Sequence, residues 1–294
     1  DIESAREVSF CAATPYGLAI LRYKEVGQLL RDRRLRQGSY AWPNTNKLSG
    51  SFGSFWKRSI IGQEGDYHTK LRNVLVPSLS EDFISTLIPS FEKIANELCA
   101  ELKNNNSCEF MSEFAKPFAG KAICVLLGLS VSDWRSISQD ASDLGLAMGI
   151  DCKSHESVFN KAYDRLVELS EDLINRVKDG KDEKSFIARL YYNSKKVGGL
   201  SDLELLDLIV IAIFGGVDTT RSQLGLGIMT FIEHPLEWKK LREDKLLASQ
   251  AFDELIRERP TTTWVTREAI CDFEFSGITI KKGTTLHLLV HSAS

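Results

Sequence analysis

The sequence has no apolar run long enough to cross a bilayer. Its longest candidate, Leu208–Val217, is stopped by Asp218 and Arg221, short of the roughly 18 to 20 residues that a spanning helix needs. A soluble, cytoplasmic protein that engages no membrane is expected. The chain begins at Asp1 without an initiator methionine, which leaves a removed leader or anchor open. It also lacks an excess of either charge, with 37 Lys and Arg against 40 Asp and Glu and a formal net charge of -3. The basic footprint of a nucleic-acid binder is therefore missing. The one basic run, Arg31–Arg36 (RDRRLR), reads as a solvated helix face. Six cysteines, Cys11, Cys99, Cys108, Cys124, Cys152 and Cys271, stand at no CxxC or CxxH spacing, which speaks against a small stapled scaffold and for reduced thiols. No Pro/Gly/Ser-rich linker, internal repeat or low-complexity tract divides the 294 residues, so one domain is expected over residues 1–294.

What is present is ordinary globular material, 43% hydrophobic and 26% charged, enough for a sizeable core. A strand-like stretch, Leu18–Tyr23, precedes an amphipathic helix signal in KEVGQLLRDRRL. Residues 41–62, rich in Ser, Gly, Asn and aromatics, read as a long loop. Trp42, Phe52, Phe55 and Trp56 there are open to two readings, a self-packed aromatic cluster or a substrate-contacting wall. From Asp66 almost to Glu258 the period is helical, with breaks near Pro77, Asn104–Ser107, Gly128–Ser132, Gly149–Ser154, Gly198–Leu200 and Pro235. The tail changes to β-branched and aromatic residues in Val265–Ala269, Phe273–Ile280 and Thr285–Val290, with Lys281–Gly283 as a turn. The expected fold class is mainly α with a small β-sheet region.

One helix carries the chemistry. Ser201-Asp202-Leu203-Glu204 forms a capping box, and the helix that it opens can run to about Glu233, before His234-Pro235. Its first half, Leu203–Phe214, is apolar nearly all round, the mark of a buried helix. Then comes Gly215-Gly216-Val217-Asp218-Thr219-Thr220. Two interior glycines cost roughly 1 kcal/mol each against alanine, so something must offset them. Thr219 lies four residues after Gly215, so its hydroxyl can reach that carbonyl and loosen the helix into a groove. The missing side chains would admit a flat ligand, with Asp218 and Thr219 placing an acid and an alcohol beside it. Close helix crossing at the glycines, with Asp218 merely ion-paired, is the alternative.

The segment resembles the distal oxygen-binding helix of the cytochrome P-450 family, whose pattern is Ala or Gly, Gly, any residue, Asp or Glu, Thr; here it reads GGVDT. The resemblance implies that Gly215 and Gly216 face the haem, that Thr219 contacts dioxygen, and that Asp218 gates proton delivery for O–O cleavage. Four further segments agree in order. Glu254 and Arg257 match the family's ExxR helix, a structural buttress of the haem core, although alone they would pass for a surface ion pair. Arg267, in Thr266-Arg267-Glu268-Ala269 ahead of DFEFSGITIKKGT, matches the arginine that reaches a haem propionate; a guanidinium suits a carboxylate because it offers two parallel donors. A strand-edge arginine in solvent is the bland reading. His68 and Arg72 match the HxxxR helix, again propionate contacts, and Ala122–Leu129 with Ser132-Asp133-Trp134 resembles the core helix and its exit turn.

What the family would still require is a Phe-x-x-Gly-x-x-x-Cys-x-Gly loop under the iron, because a thiolate pushes electron density toward O–O cleavage. No cysteine here has glycine two residues later, so no metal ligand is assigned. Cys271 reads as a small buried hydrophobe rather than a substitute ligand. The resemblance therefore implies a partial cytochrome P-450 fold, short of the usual N-terminal helix and of the cysteine loop. The implied activity is that of a haem b monooxygenase which inserts one oxygen atom from dioxygen into an apolar small molecule. The hairpin EFSGITIKKGT is close to the soluble bacterial camphor-hydroxylase branch, which implies electrons from ferredoxin and ferredoxin reductase. A haem-free relative acting as a partner or scaffold protein, or an inactive fragment, is the competing expectation. The resemblance implies that residues around 41–62 and 140–165 and the start of the long helix line the substrate pocket.

Overall fold

In the computed structural model, residues 2–103, 107–149 and 151–292 are described. The chain opens with α1 (Ile2–Val8), β1 (Cys11–Thr14), β2 (Gly17–Ile20), α2 (Tyr23–Leu29) and β3 (Leu35–Gln37). Helices follow: α3 (Trp42–Thr45), α4 (Gly50–Arg58), α5 (Gly65–Ser78), α6 (Glu81–Leu102), α7 (Lys116–Leu127), α8 (Trp134–Gly145), α9 (Glu156–Lys178) and α10 (Phe186–Lys196). The long α11 (Asp202–Glu233) leads to α12 (Pro235–Glu243) and α13 (Ala248–Glu258). The last strands are β4 (Val265–Ala269), β5 (Phe273–Phe275), β6 (Ile278–Ile280) and β7 (Thr285–Leu288). The mainly helical architecture with small sheets is as expected.

These elements form two compact units, Asp1–Trp42 with Gln223–Ser294, and Pro43–Ser222. In the first, five strands run in the order β1-β2-β7-β4-β3, and β5 pairs with β6 as a separate hairpin. Only β2 and β7 are parallel, with Leu18 opposite Leu286. Ile20, Leu29, Leu286 and Leu288 are fully buried against Val26, Leu35, Phe273 and Ile280, so the alternation of β7 and the apolar side of α2 share one core.

The helix expected from Lys24 to Leu35 stops at Leu29. Asp32 accepts a hydrogen bond from the Arg34 backbone N–H at 2.9 Å, a local turn that competes with helix. Leu35 then pairs with Ala269 and Arg36 with Glu268. The basic run is thus a turn and a strand rather than a helix face, and Arg36 is ion-paired with Glu268.

In the second unit the loop expected over residues 41–62 contains α4. Phe52, Phe55 and Trp56 recur at a helical spacing and are buried. Phe52 meets Phe159 with ring centroids 4.9 Å apart, and Phe55 meets Tyr163 at 4.9 Å. Tertiary burial overrides the weak propensity of GSFGSFWKR, and of the two readings of these aromatics the packed cluster holds for Phe52, Phe55 and Trp56. The expected break at Asn104–Ser107 lies outside the described residues for 104–106, as does residue 150 within the break at Gly149–Ser154. Gly128 ends α7 at φ 72, a left-handed cap that glycine takes without a Cβ penalty.

The capping box forms as expected: Glu204 Oε2 accepts from the Ser201 backbone N–H at 2.7 Å, and the Ser201 hydroxyl accepts from the Glu204 N–H at 3.2 Å. The helix that it starts has 32 residues, about 48 Å at 1.5 Å per residue. Leu205, Leu206, Leu208, Ile209, Val210, Ile211 and Ile213 are buried, and so is Asp207.

Candidate functional site

The helix α11 stays unbroken through GGVDTT. Gly215 and Thr219, one turn apart, are exposed on a helix whose neighbouring positions are buried or half-buried. The Thr219 hydroxyl donates to the Gly215 carbonyl oxygen. A Cβ at Gly215 would meet nothing within 4 Å, whereas one at Gly216 would lie 2.9 Å from Ile123 Cδ1. The two glycines thus do different work: Gly215 leaves an open surface, and Gly216 lets the side chain of Ile123 on α7 approach the helix.

Asp218 points to a different neighbourhood from Thr219. Its Oδ1 lies 3.0 Å from Arg221 Nη2 and 3.5 Å from the Ser142 hydroxyl on α8. Burial raises its pKa above the ordinary aspartate value, opposed by the positive charge of Arg221, by Ser142, and by Lys116 at the start of α7. A carboxyl held in this way retains its proton to higher pH than a solvated one. The ion pair of the alternative reading is present, and it coexists with the open stripe.

His68 and Arg72 lie one turn apart on α5, half-buried and exposed respectively. Among the described residues no side-chain hydrogen bond or ion pair engages either side chain. Their neighbours on α5 are engaged: Lys70 binds Glu204 of α11 at 3.2 Å, and Tyr67 is hydrogen-bonded to the same carboxylate.

In the other unit, Arg267 sits on β4, which lies between β7 and β3. It is therefore not a strand-edge residue. Its Nη1 donates to Gln37 Oε1 at 3.1 Å and to the Thr266 carbonyl at 3.0 Å. Glu254 and Arg257 form a two-pronged ion pair at 2.7 and 2.8 Å. Both are well exposed, and each shifts the other: hydrogen bonding to Arg257 lowers the Glu254 pKa, and hydrogen bonding to Glu254 raises that of Arg257.

Three features escaped the sequence. Arg58, Asp207 and Tyr163 form a network across α4, α11 and α9, with Arg58 Nε donating to Asp207 Oδ2 at 2.8 Å and the Tyr163 hydroxyl to Oδ1 at 3.1 Å. Arg221 and Ser142 engage Asp218, and Gly145 lies against it. Only the mutual spacing of Asp218 and Arg221, three residues apart on one helix, was readable beforehand.

The cytochrome P450 family model matches residues 143–294. Luteothin monooxygenase of Streptomyces thioluteus is 30% identical over 100% of this chain and 72% of its own length. The polyketide biosynthesis cytochrome P450 PksS of Bacillus subtilis is 25% identical over 98% of this chain and 71% of its own length. The crystal structure of CalO2 superposes with a TM-score of 0.90 over 99% of this chain and 74% of that one, at 22% identity. The chain belongs to the cytochrome P450 family, haem-dependent monooxygenases and hence oxidoreductases.

The residues present fit two parts of a haem. The side-chain-free stripe at Gly215 leaves room for a flat face, and the unengaged His68 and Arg72 offer donors suited to carboxylates. No proximal thiolate is assigned: the buried Cys124 thiol is pushed up to about 12 by its surroundings, the reverse of what a ligand needs. Cys271, expected to be buried, is exposed in the bend between β4 and β5, because strand pairing ends at Ala269 and resumes at Phe273. Among the described residues no helix is long and apolar enough to cross a membrane.

Proposed function

We propose that this chain contributes the oxygen-side surface of a cytoplasmic monooxygenase that places one atom of dioxygen into an apolar small molecule, with electrons from ferredoxin and its reductase. The open stripe at Gly215 and Thr219, with Asp218 half-buried one residue before the threonine, carries this reading. Names of relatives point to natural-product tailoring as the kind of reaction: one is a luteothin monooxygenase and another a polyketide biosynthesis cytochrome P450.

Haem, when bound, supplies the activation of dioxygen. Gly215 would face it, whereas Gly216, expected to do the same, packs against Ile123 of α7 instead; His68 and Arg72, and Arg267 on β4, are the side chains that would hold its propionates. Thr219 spends its proton on the Gly215 carbonyl, so its oxygen remains an acceptor on the open side of the helix. Asp218, whose carboxyl faces Arg221 and Ser142 rather than Thr219, would have to turn out of that contact to relay protons to the open side of the helix. Glu254 and Arg257 brace α13 through their ion pair.

The test uses the protein loaded with haem and supplied with reduced ferredoxin and an apolar substrate. Thr219→Ala should lower product formed per electron consumed and raise peroxide release by a similar amount. Unchanged coupling would remove Thr219 from the mechanism. Absence of any haem uptake, followed by Soret absorbance, would leave the haem-free partner protein as the reading.

A further inference from the structure

The carboxylate of Asp218 occupies a place where α8 has no side chain. A Cβ on Gly145 would stand 2.8 Å from Asp218 Oδ2 and 3.8 Å from Phe214 Cε2. The first distance is closer than real Cβ atoms come to another heavy atom, so an alanine at 145 would force the Asp218 carboxyl to shift. One turn earlier on the same face of α8, Ser142 brings its hydroxyl to 3.5 Å from Oδ1. That hydroxyl also accepts from Arg221 Nη1 at 3.3 Å, while Arg221 Nη2 lies 3.0 Å from Oδ1. The acid is thus fitted from two sides, by Arg221 of its own helix and by the Ser142–Gly145 turn of α8.

We infer that Gly145 and Ser142 are positioning residues for Asp218, forming a seat on α8 that fixes where its carboxyl sits. The inference rests on the reading of Asp218 as a proton donor for its importance, not for its geometry. Two opposed influences meet in the seat. Burial between the helices disfavours the charged form, and Arg221, Ser142 and Lys116 favour it, with burial the larger. Gly145 permits the burial, and Ser142 supplies part of the opposition. Substitutions one turn apart should therefore move the acid in opposite directions. A methyl at 145 pushes the carboxyl away from α8 and so reduces its burial, which should lower its pKa toward the ordinary aspartate value. Loss of the Ser142 hydroxyl leaves the burial intact and raises the pKa.

The experiment is a carbon-13 titration of the full chain labelled at aspartate carboxyls, with Asp218→Asn identifying the resonance. The wild-type midpoint is expected above those of exposed aspartates, with Gly145→Ala below the wild type and Ser142→Ala above it. General loosening of the fold would move both variants the same way. Midpoints unchanged in both, or shifted in the same direction, would overturn the seat. Should Gly145→Ala not fold, as judged by its circular dichroism, Ser142→Ala decides alone: a raised midpoint upholds the seat and an unchanged one overturns it. Product coupling measured with the same variants in the haem-loaded protein addresses the separate matter of whether this proton is used. A shifted titration with unaltered coupling keeps the seat and retires Asp218 as donor.

Discussion

Replacing Arg58 by methionine should be among the most damaging single changes to stability in this chain. Asp207 is 5% exposed and receives two donors from Arg58, at 2.8 and 3.1 Å, and one from Tyr163 at 3.1 Å. Removing one partner of a buried pair leaves an uncompensated charge, at a cost of about 3–5 kcal/mol. The Arg58 side chain is 33% exposed, so part of the field reaches water and the low end applies. About 3 kcal/mol is more than a hundredfold in the unfolding constant. The loss should also depend on pH. Burial raises the Asp207 pKa in the folded state, and Arg58 is the chief influence that restrains the rise. A carboxyl whose folded pKa is raised lends stability below its unfolded pKa and loses it as pH climbs through the folded value. Without Arg58 the folded value goes higher, so the deficit of Arg58→Met should widen as pH rises above the usual carboxylate range. Urea unfolding at several pH values measures this, and Asp207→Asn in the Arg58→Met background should recover most of the loss at neutral pH. A deficit that is flat with pH, or no recovery in the double variant, would refute the account.

Other outcomes follow from single contacts. Ser138 is fully buried and its hydroxyl has no hydrogen-bond partner among the described residues, so Ser138→Ala should raise stability by up to about 1 kcal/mol in thermal unfolding. Gly120→Ala should lose about 1–3 kcal/mol by overpacking, since its Cβ would lie 2.2 Å from Ser138 Oγ and 3.2 Å from the Trp134 carbonyl. Ser201→Ala should cost about 1 kcal/mol through the lost cap, and hydrogen exchange should speed up at the Glu204 amide first.

How much could be read in advance depended on the range of the interaction. The start of α11 is encoded within four residues, and its burial within one apolar run, so both were legible. Strand β4 was legible to the residue because Val265 and Ala269 bound a β-branched stretch between turn signals. The segment GSFGSFWKR misled because its composition is that of a loop, and only Phe159 and Tyr163, more than a hundred residues away, make it a helix. Arg58 and Asp207 are likewise 149 positions apart, and no local pattern marks a charge that will be buried. In the candidate site, GGVDT announced Gly215 and Thr219, but the fit of Asp218 against Gly145 is a matter of missing volume on another helix, which a sequence pattern does not display.

The parallel pairing of β2 with β7 has a consequence for synthesis on the ribosome. Strands β1 and β2 emerge first, yet the inner edge of β2 finds its hydrogen-bonding partner only when Leu286–Leu288 has been made. At about 5–20 residues per second that interval exceeds ten seconds. During it an apolar strand with an open edge must avoid other pairings, while all of the unit Pro43–Ser222 has been made. The shortness of β2, four residues from Gly17 to Ile20, limits how well that waiting edge can template the wrong neighbour.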